Sequence, residues 1–310
     1  MLIFKSTANK VIIKIITFIC LSEKFSYGFK KSICKKFIPE FKGGLHFKRS
    51  FYNYIYNGVT SDHIDRTVFL CGAYEKAILH VINDLYSGLD SKKFNCLDIG
   101  ANVGNHSMFM STIAHEVHAF EPCEIAYKRL DLNINDNNIK NIHVHKLGLG
   151  SENITLPLYA PEPGNIGTAS LIKNFKKETE KLCDIEIKCA DQYLISNNIS
   201  DIKLIKIDVE GYEKNVLLGL NKTLIGARPT VVFEMSPLTL QSFNNKQDFI
   251  QIFPNSYSFF FFDMANKSSG AYKLKDYSFG HELRYQDIIA IPDEVCSYLK
   301  TKNSPLVKNN

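Results

Sequence analysis

Three short runs in this chain hold side chains that could do chemistry together. The first is Asp98-Ile99-Gly100-Ala101-Asn102-Val103-Gly104. Glycine at 100 and 104 lets the backbone turn sharply and come close to a ligand. A helix opening behind it would aim free N–H groups at that ligand. The second is Ala119-Phe120-Glu121-Pro122, about 20 residues further on, where an acid can accept hydrogen bonds from both hydroxyls of a ribose. The alternative for Glu121 is a strand terminus facing solvent. The third is Ile205-Lys206-Ile207-Asp208-Val209-Glu210-Gly211. Carboxylates at 208 and 210 could orient substrate hydroxyls or take up a proton; equally, they could form a charged turn and a helix-start acid favoured by the dipole. Glu234 closes a later apolar run and His106 follows the glycine loop. Each is a further candidate base, weighed against a surface acid and a packing histidine.

The loop chemistry discriminates between ligands. A dinucleotide site needs G-x-G-x-x-G so that a pyrophosphate can sit on the helix N-terminus, and here Asn102 stands where the second glycine belongs. The loop begins instead with an anion, Asp98. A carboxylate repels a pyrophosphate and attracts the ammonium of a methionine. S-adenosylmethionine is therefore favoured over NAD. Clustered acids would tolerate a divalent metal, but no ligand spacing demands one.

These runs need a parallel sheet to bring them together. Residues 74–86 carry Ile78, Leu79, Ile82 and Leu85 at helical spacing. Thereafter strand and helix signals alternate: strands at 94–99, 117–120, 142–147, 204–207 and 230–233, with helices at 107–114, 127–134 and 214–220. That pitch is the signature of βαβ units. Residues 154–191, with prolines at 157, 161 and 163 and glycines at 164 and 167, read as a hairpin-like excursion that could wall a substrate pocket. Residues 257–262 and 287–291 read as two strands pairing antiparallel at the sheet edge, joined by a polar link with Gly270 and Gly280.

A chain of 310 residues accommodates one such domain, over 65–295, with a basic, helical extension at 1–64 and a tail at 296–310. Residues 1–50 hold eleven Lys and Arg against two Asp and Glu, a balance of +9, while the remainder balances to −4. The basicity belongs to the extension, which argues against a nucleic-acid-binding face on the main domain. The extension could be an amphipathic helix on anionic lipid, or a solvated one packed on the domain. Its longest apolar run, 11–21, is interrupted by Lys14, too short to span a bilayer and without a secretory cleavage site. Eight cysteines without a CxxC pair suit reduced thiols of the cytoplasm.

The three ordered motifs resemble those of the FkbM-type methyltransferases. Supporting marks are Gly72-Ala73-Tyr74-Glu75, Leu130-Asp131-Leu132-Asn133, and Arg228-Pro229 with Glu234; the resemblance covers about residues 68–292. It implies a Rossmann-like class I methyltransferase fold, a seven-stranded, mostly parallel sheet with an antiparallel edge hairpin. It also implies that Asp98, Gly100, Ala101, Asn102 and Gly104 hold the methionine part of S-adenosylmethionine, Glu121 its ribose, and Gly148 lies near adenine, with Glu75 among the cofactor-binding residues. Gly148 stands where alanine is usual and Cys189-Ala190-Asp191 where Thr-Leu-Asp is common; neither change removes a cofactor-binding group. Family members methylate hydroxyls of sugars or polyketides, so the expected acceptor is a carbohydrate or glycan hydroxyl, as in polysaccharide biosynthesis. The base would come from Asp208, Glu210, Glu234 or His106. The rivals are an NAD-dependent oxidoreductase, against which Asn102 counts, and a non-catalytic membrane-associated binding module built on residues 1–50. The expected location is the cytoplasm, at most peripheral at the inner membrane surface.

Overall fold

The computed structural model describes residues 1–86, 94–160, 169–173, 179–243, 246–263, 270–277 and 286–296. Pro161, Pro163, Gly164, Gly167, Gly280 and the tail beyond Cys296 lie outside them. The strands, in chain order, are β1 (Leu2–Phe4), β2 (His46–Phe51), β3 (Tyr54–Val59), β4 (Asn95–Ile99), β5 (Glu116–Phe120), β6 (Ile142–His145), β7 (Gly148–Gly150), β8 (Ile154–Ala160), β9 (Glu180–Cys189), β10 (Ile202–Ile207), β11 (Thr230–Met235), β12 (Tyr257–Asp263), β13 (Lys273–Asp276) and β14 (Gln286–Pro292).

The main sheet runs β6-β5-β4-β10-β11-β14-β12-β13. Its first five strands are parallel, and β14 enters antiparallel to both β11 and β12. This is the Rossmann-like sheet expected, with one strand more than the seven: the short, polar β13 extends the hairpin edge. Ile205, Ile207, Leu97, Ile99, Val231 and Phe233 are all buried, as parallel strands covered by helices on both faces require. From β4 the chain steps outward to β5 and β6, then returns to the other side of β4 with β10. The crevice of such a sheet opens at that reversal, beyond the carboxyl ends of β4 and β10.

The third expected strand is shorter than its apolar run. It stops at His145, and Gly148 starts a separate strand, β7, in a small sheet of order β7-β9-β8. The 154–191 excursion is a hairpin, β8 pairing antiparallel with β9.

Residues 1–64 are only half helical. Helices Lys10–Leu21 and Tyr27–Phe37 accompany a three-stranded antiparallel sheet, β1-β2-β3. Phe47, Arg49 and Phe51 of β2 alternate inward, and the inward arginine donates to the Phe69 carbonyl. Ile16, Cys20, Cys34, Ile38 and Phe41 share one hydrophobic core with Phe69, Val81, Ile289 and Ile291 of the main domain. Asn133 and Asn137 stitch the two parts together, accepting from the backbone N–H groups of Asn57 (2.9 Å) and Ile55 (2.8 Å). The extension is part of the domain's core. No helix among the described residues is long and apolar enough to cross a membrane.

Candidate active site

The glycine loop leaves β4 and is clamped from two sides. Gly100 and Ala101 both donate to the Phe120 carbonyl at 3.0 Å, and Asp208 donates its N–H to the Ile99 carbonyl at 2.9 Å. Gly100 sits at φ +84°, and a Cβ there would lie 1.9 Å from the Asp208 carbonyl oxygen. Only glycine lets the tips of β4 and β10 come this close. The result is one cavity lined by Gly100, Ala101, Asn102, Glu121, Gly148, Asp208, Glu210, Glu234, Glu75 and His106.

Two expected residues do not reach the cavity wall. Asp98 is buried behind the loop and accepts from the Ser107 hydroxyl at 2.5 Å. Burial raises its carboxyl above the ordinary range, against the nearby His106, Ser107 and Lys206. It braces the start of the helix Asn105–Met110, and its influence on a ligand would act through that loop. Gly104 caps the same helix, where a Cβ would strike Leu130. Gly148 lines the cavity, but its missing side chain makes room for Ile187, whose Cδ1 would lie 2.5 Å from a Cβ.

Glu121 is buried at the end of β5. One oxygen accepts from the Asn102 N–H and the other from the Cys123 N–H, both at 2.8 Å. Burial pushes its carboxyl up to about 7, the two N–H donors working the other way. A carboxylate has about four lone-pair sites, so two remain for hydroxyl donors. Beside it, Cys123, Ala126, Leu158, Ile185 and Ile187 form an apolar cluster that also lines the cavity. The β8–β9 hairpin thus walls the Glu121 end, and Ser170, between its strands, donates its hydroxyl to the Glu210 carbonyl at 2.6 Å.

Asp208 and Glu75 meet at a buried cation to which the motif reading gave no role, Lys206. Lys206 is wholly buried, its Nζ 3.3 Å from Asp208 Oδ2 and 3.9 Å from Glu75 Oε2. Burial alone would lower the ammonium; Asp208, Glu75, Asp287 and Asp98 overcome this and raise it. Glu75 is delivered by a sharp turn: Gly72 ends the helix His63–Cys71 in left-handed conformation, and Asn105 holds the backbone of Tyr74 by two hydrogen bonds of 3.0 and 3.1 Å. Glu75 Oε2 then stands 3.2 Å from His106 Nε2, out of line for a full hydrogen bond, which leaves both atoms short of a partner. Burial works to raise the Glu75 carboxyl, but Lys206 and His106 hold it below the usual range. Glu234 goes the other way, driven up to about 9 by burial and by Asp208, Glu210 and Asp287.

The loop carrying Asp208 and Glu210 is held from below. Glu213, fully buried, accepts from the N–H groups of Val209 (3.1 Å) and Gly211 (3.2 Å), and from the Thr239 hydroxyl (2.7 Å). Asp287 and His63 also line the cavity and, like Glu213, lay outside the motifs; Tyr74 and Lys206 stood inside them without an assigned role. The signal for Lys206 was present: a lysine inside the apolar run Leu204–Ile207 is buried on both faces. Among the described residues no group of three or more metal-ligating side chains converges.

Residues 98–267 match the methyltransferase FkbM domain family, more than half of the chain. The chain belongs to that family. Among curated relatives of this FkbM-domain protein, Methyltransferase 1 of Beauveria bassiana is 27% identical over 144 residues, covering 40% of this chain and 57% of the relative. The hexuronic acid methyltransferase AglP of Haloferax volcanii is 31% identical over 127 residues, covering 41% and 50%. The chain thus spans about half the length of the curated relatives it matches. Solved structures similar to it include methyltransferase FkbM from Methylobacillus flagellatus (18% identity, TM-score 0.39, covering 65% of this chain and 44% of that one). Another is an rRNA methylase from Streptococcus thermophilus (11% identity, TM-score 0.41, covering 70% and 96%).

Proposed function

We propose that this FkbM-family protein transfers a methyl group from S-adenosylmethionine to a sugar or glycan hydroxyl. The observation that carries the reading is the row of carboxylates, Asp208, Glu210, Glu234 and Asp287, lining the same cavity as Glu121 and the glycine loop. Sugars present several hydroxyl donors at once, and carboxylates are the strongest acceptors a side chain offers.

The residues present fit the cofactor. Glu121 keeps lone pairs for two ribose hydroxyls, the Leu158–Ile185–Ile187 wall beside it suits an adenine, and the Gly100–Asn102 backbone supplies the close approach a methionine needs. When bound, the cofactor supplies a methyl group made electrophilic by sulfonium. The protein's part is to align the acceptor oxygen, which can contribute most of the rate, and to receive its proton. Asp208 Oδ2 faces Lys206, so Oδ1 is the atom assigned to that proton. Burial and the neighbouring Asp208, Glu210 and Asp287 push the Glu234 carboxyl up, which suits it less than Asp208 to the role of a carboxylate base at neutral pH. His106 is turned toward Glu75 and orients the acceptor side of the cavity.

The test is a transfer assay with isotopically labelled S-adenosylmethionine and a panel of neutral and uronic-acid oligosaccharides. A product carrying an alkali-stable methyl ether supports the reading. An alkali-labile methyl ester would move the acceptor from hydroxyl to carboxylate, and transfer only to non-carbohydrate hydroxyls would overturn the substrate class.

A further inference from the structure

The helix Lys10–Leu21 is apolar on two opposite faces. Ile16 and Cys20 enter the core. On the other side Val11, Ile15, Phe18 and Leu21 are exposed at 64%, 54%, 69% and 45%. Steps of four and three residues stack the first three along one stripe, and Lys10 and Lys14 run beside it on the exposed side. A folded protein rarely leaves such large side chains adjoining one another in water unless something covers them.

The charge around the stripe says what that is. The two acids of residues 1–50 are already engaged: Glu23 pairs with Lys76 at 2.9 Å, and Glu40 accepts from Ser6 and Thr7. Lys30 and Arg49 are buried, and Lys48 pairs with Asp136. Lys5, Lys10, Lys14, Lys24, Lys31, Lys35, Lys36 and Lys42 have no carboxylate partner among the described residues. The following helix adds exposed Phe29 and Phe37 among these lysines. An apolar helix face flanked by Lys10 and Lys14, in a segment whose other lysines lack carboxylate partners among the described residues, complements one surface chemistry: apolar side chains enter the acyl boundary while ammonium groups meet anionic headgroups.

We infer that the exposed face of the helix Lys10–Leu21 seats the protein on an anionic lipid bilayer, lying in the interface plane. The inference is independent of the proposed acceptor. The interaction needs both components, since a short apolar stripe or a lysine cluster alone gives weak, reversible attachment.

Co-sedimentation with vesicles of equal parts phosphatidylglycerol and phosphatidylcholine tests it, using the full chain. Deleting residues 1–45 is unsuitable, because it would remove part of the core. Ile15→Glu with Phe18→Glu alters only exposed positions, and an unchanged melting curve verifies the fold. The expected results are binding to the anionic vesicles at about 0.05 M salt and release at about 0.5 M. Pure phosphatidylcholine should bind at least about tenfold less, and the double variant should lose about tenfold or more. Failure of the wild type to sediment at low salt overturns the inference, as does wild-type binding by the folded double variant. A concentration-dependent dimer abolished by the double variant, without vesicle binding, would assign the face to a second copy instead.

Discussion

The buried ammonium of Lys206 stands 3.3 Å from a carboxylate oxygen of Asp208, two residues along the same chain. Lysine points into the sheet's interior from the last turn of β10 while the aspartate crowns the strand, so the cation lies beneath the acids that line the cavity. It compensates Asp208, Glu75, Asp287 and Asp98 together. Without it, several carboxyls would share a low-dielectric site and take up protons.

Lys206→Met keeps the length of the side chain and removes that charge. Stability should fall by about 3 kcal/mol, the usual cost of stranding one side of a buried ion pair. Urea unfolding measures it; a change within about 0.5 kcal/mol, the range of ordinary surface substitutions, would mean that the acids rearrange freely.

Asp208→Asn preserves shape and removes the proposed proton acceptor. Turnover should drop about 10²-fold or more, with cofactor affinity moving much less, since the proposed reading gives that ligand mainly to Glu121 and the glycine loop. Glu210→Gln should lose less. Near-normal turnover in Asp208→Asn, alongside loss of activity in Glu234→Gln or His106→Ala, places the base elsewhere.

Glu121→Ala should weaken S-adenosylmethionine binding by about 1 to 3 kcal/mol, read by calorimetry. Because its carboxylate also holds the Asn102 and Cys123 N–H groups, the melting temperature should fall too. Unaltered affinity in a folded variant would sink the ribose assignment.

Gly100→Ala introduces a methyl into the Asp208 carbonyl at a left-handed position. Either strand tip must move, so soluble protein should bind S-adenosylmethionine weakly or not at all. Cofactor binding by the variant at wild-type strength would show that the two tips are not held together.

His118 Nδ1 lies 3.1 Å from His145 Nε2, whose Nδ1 lies 3.0 Å from the Tyr193 hydroxyl. Burial holds both imidazoles down to about 4. The unfolded chain, titrating near 6.5, binds more protons than the folded one between those values. Stability should therefore fall as pH drops from about 6.5 towards 4, and be unaffected by these groups above that window. Urea midpoints across that range should slope less in His145→Gln; an identical slope rules out this pair as the source.

What was legible depended on locality. The glycine loop, Glu121 and the β10 tip are short segments whose own residue types marked them, and the fold brings all three to one cavity, while the alternating strands and helices read directly from their spacing. Glu213 was opaque because it has an ordinary local explanation, an acid in the first turn of a helix, whereas Lys206 showed only that a charge interrupts a buried strand and not which acids it meets. Only the folded chain, which brings Glu75 to Lys206 and Thr239 to Glu213, reveals their partners. Asp98 was misplaced for a related reason: its position before the loop is local, but its contact with Ser107 is made by the helix that follows. In the extension, β2 hid behind Arg49, a charge at an inward position that breaks the pattern of a half-buried strand.

The shared core of the extension and the main sheet also bears on how the two parts unfold. Ile16, Cys20 and Phe41 belong to the same apolar cluster as Ile289 and Ile291 of β14, although more than two hundred residues separate them along the chain. The extension and the main sheet should therefore melt in one cooperative transition, and cutting between them would uncover apolar side chains on both pieces.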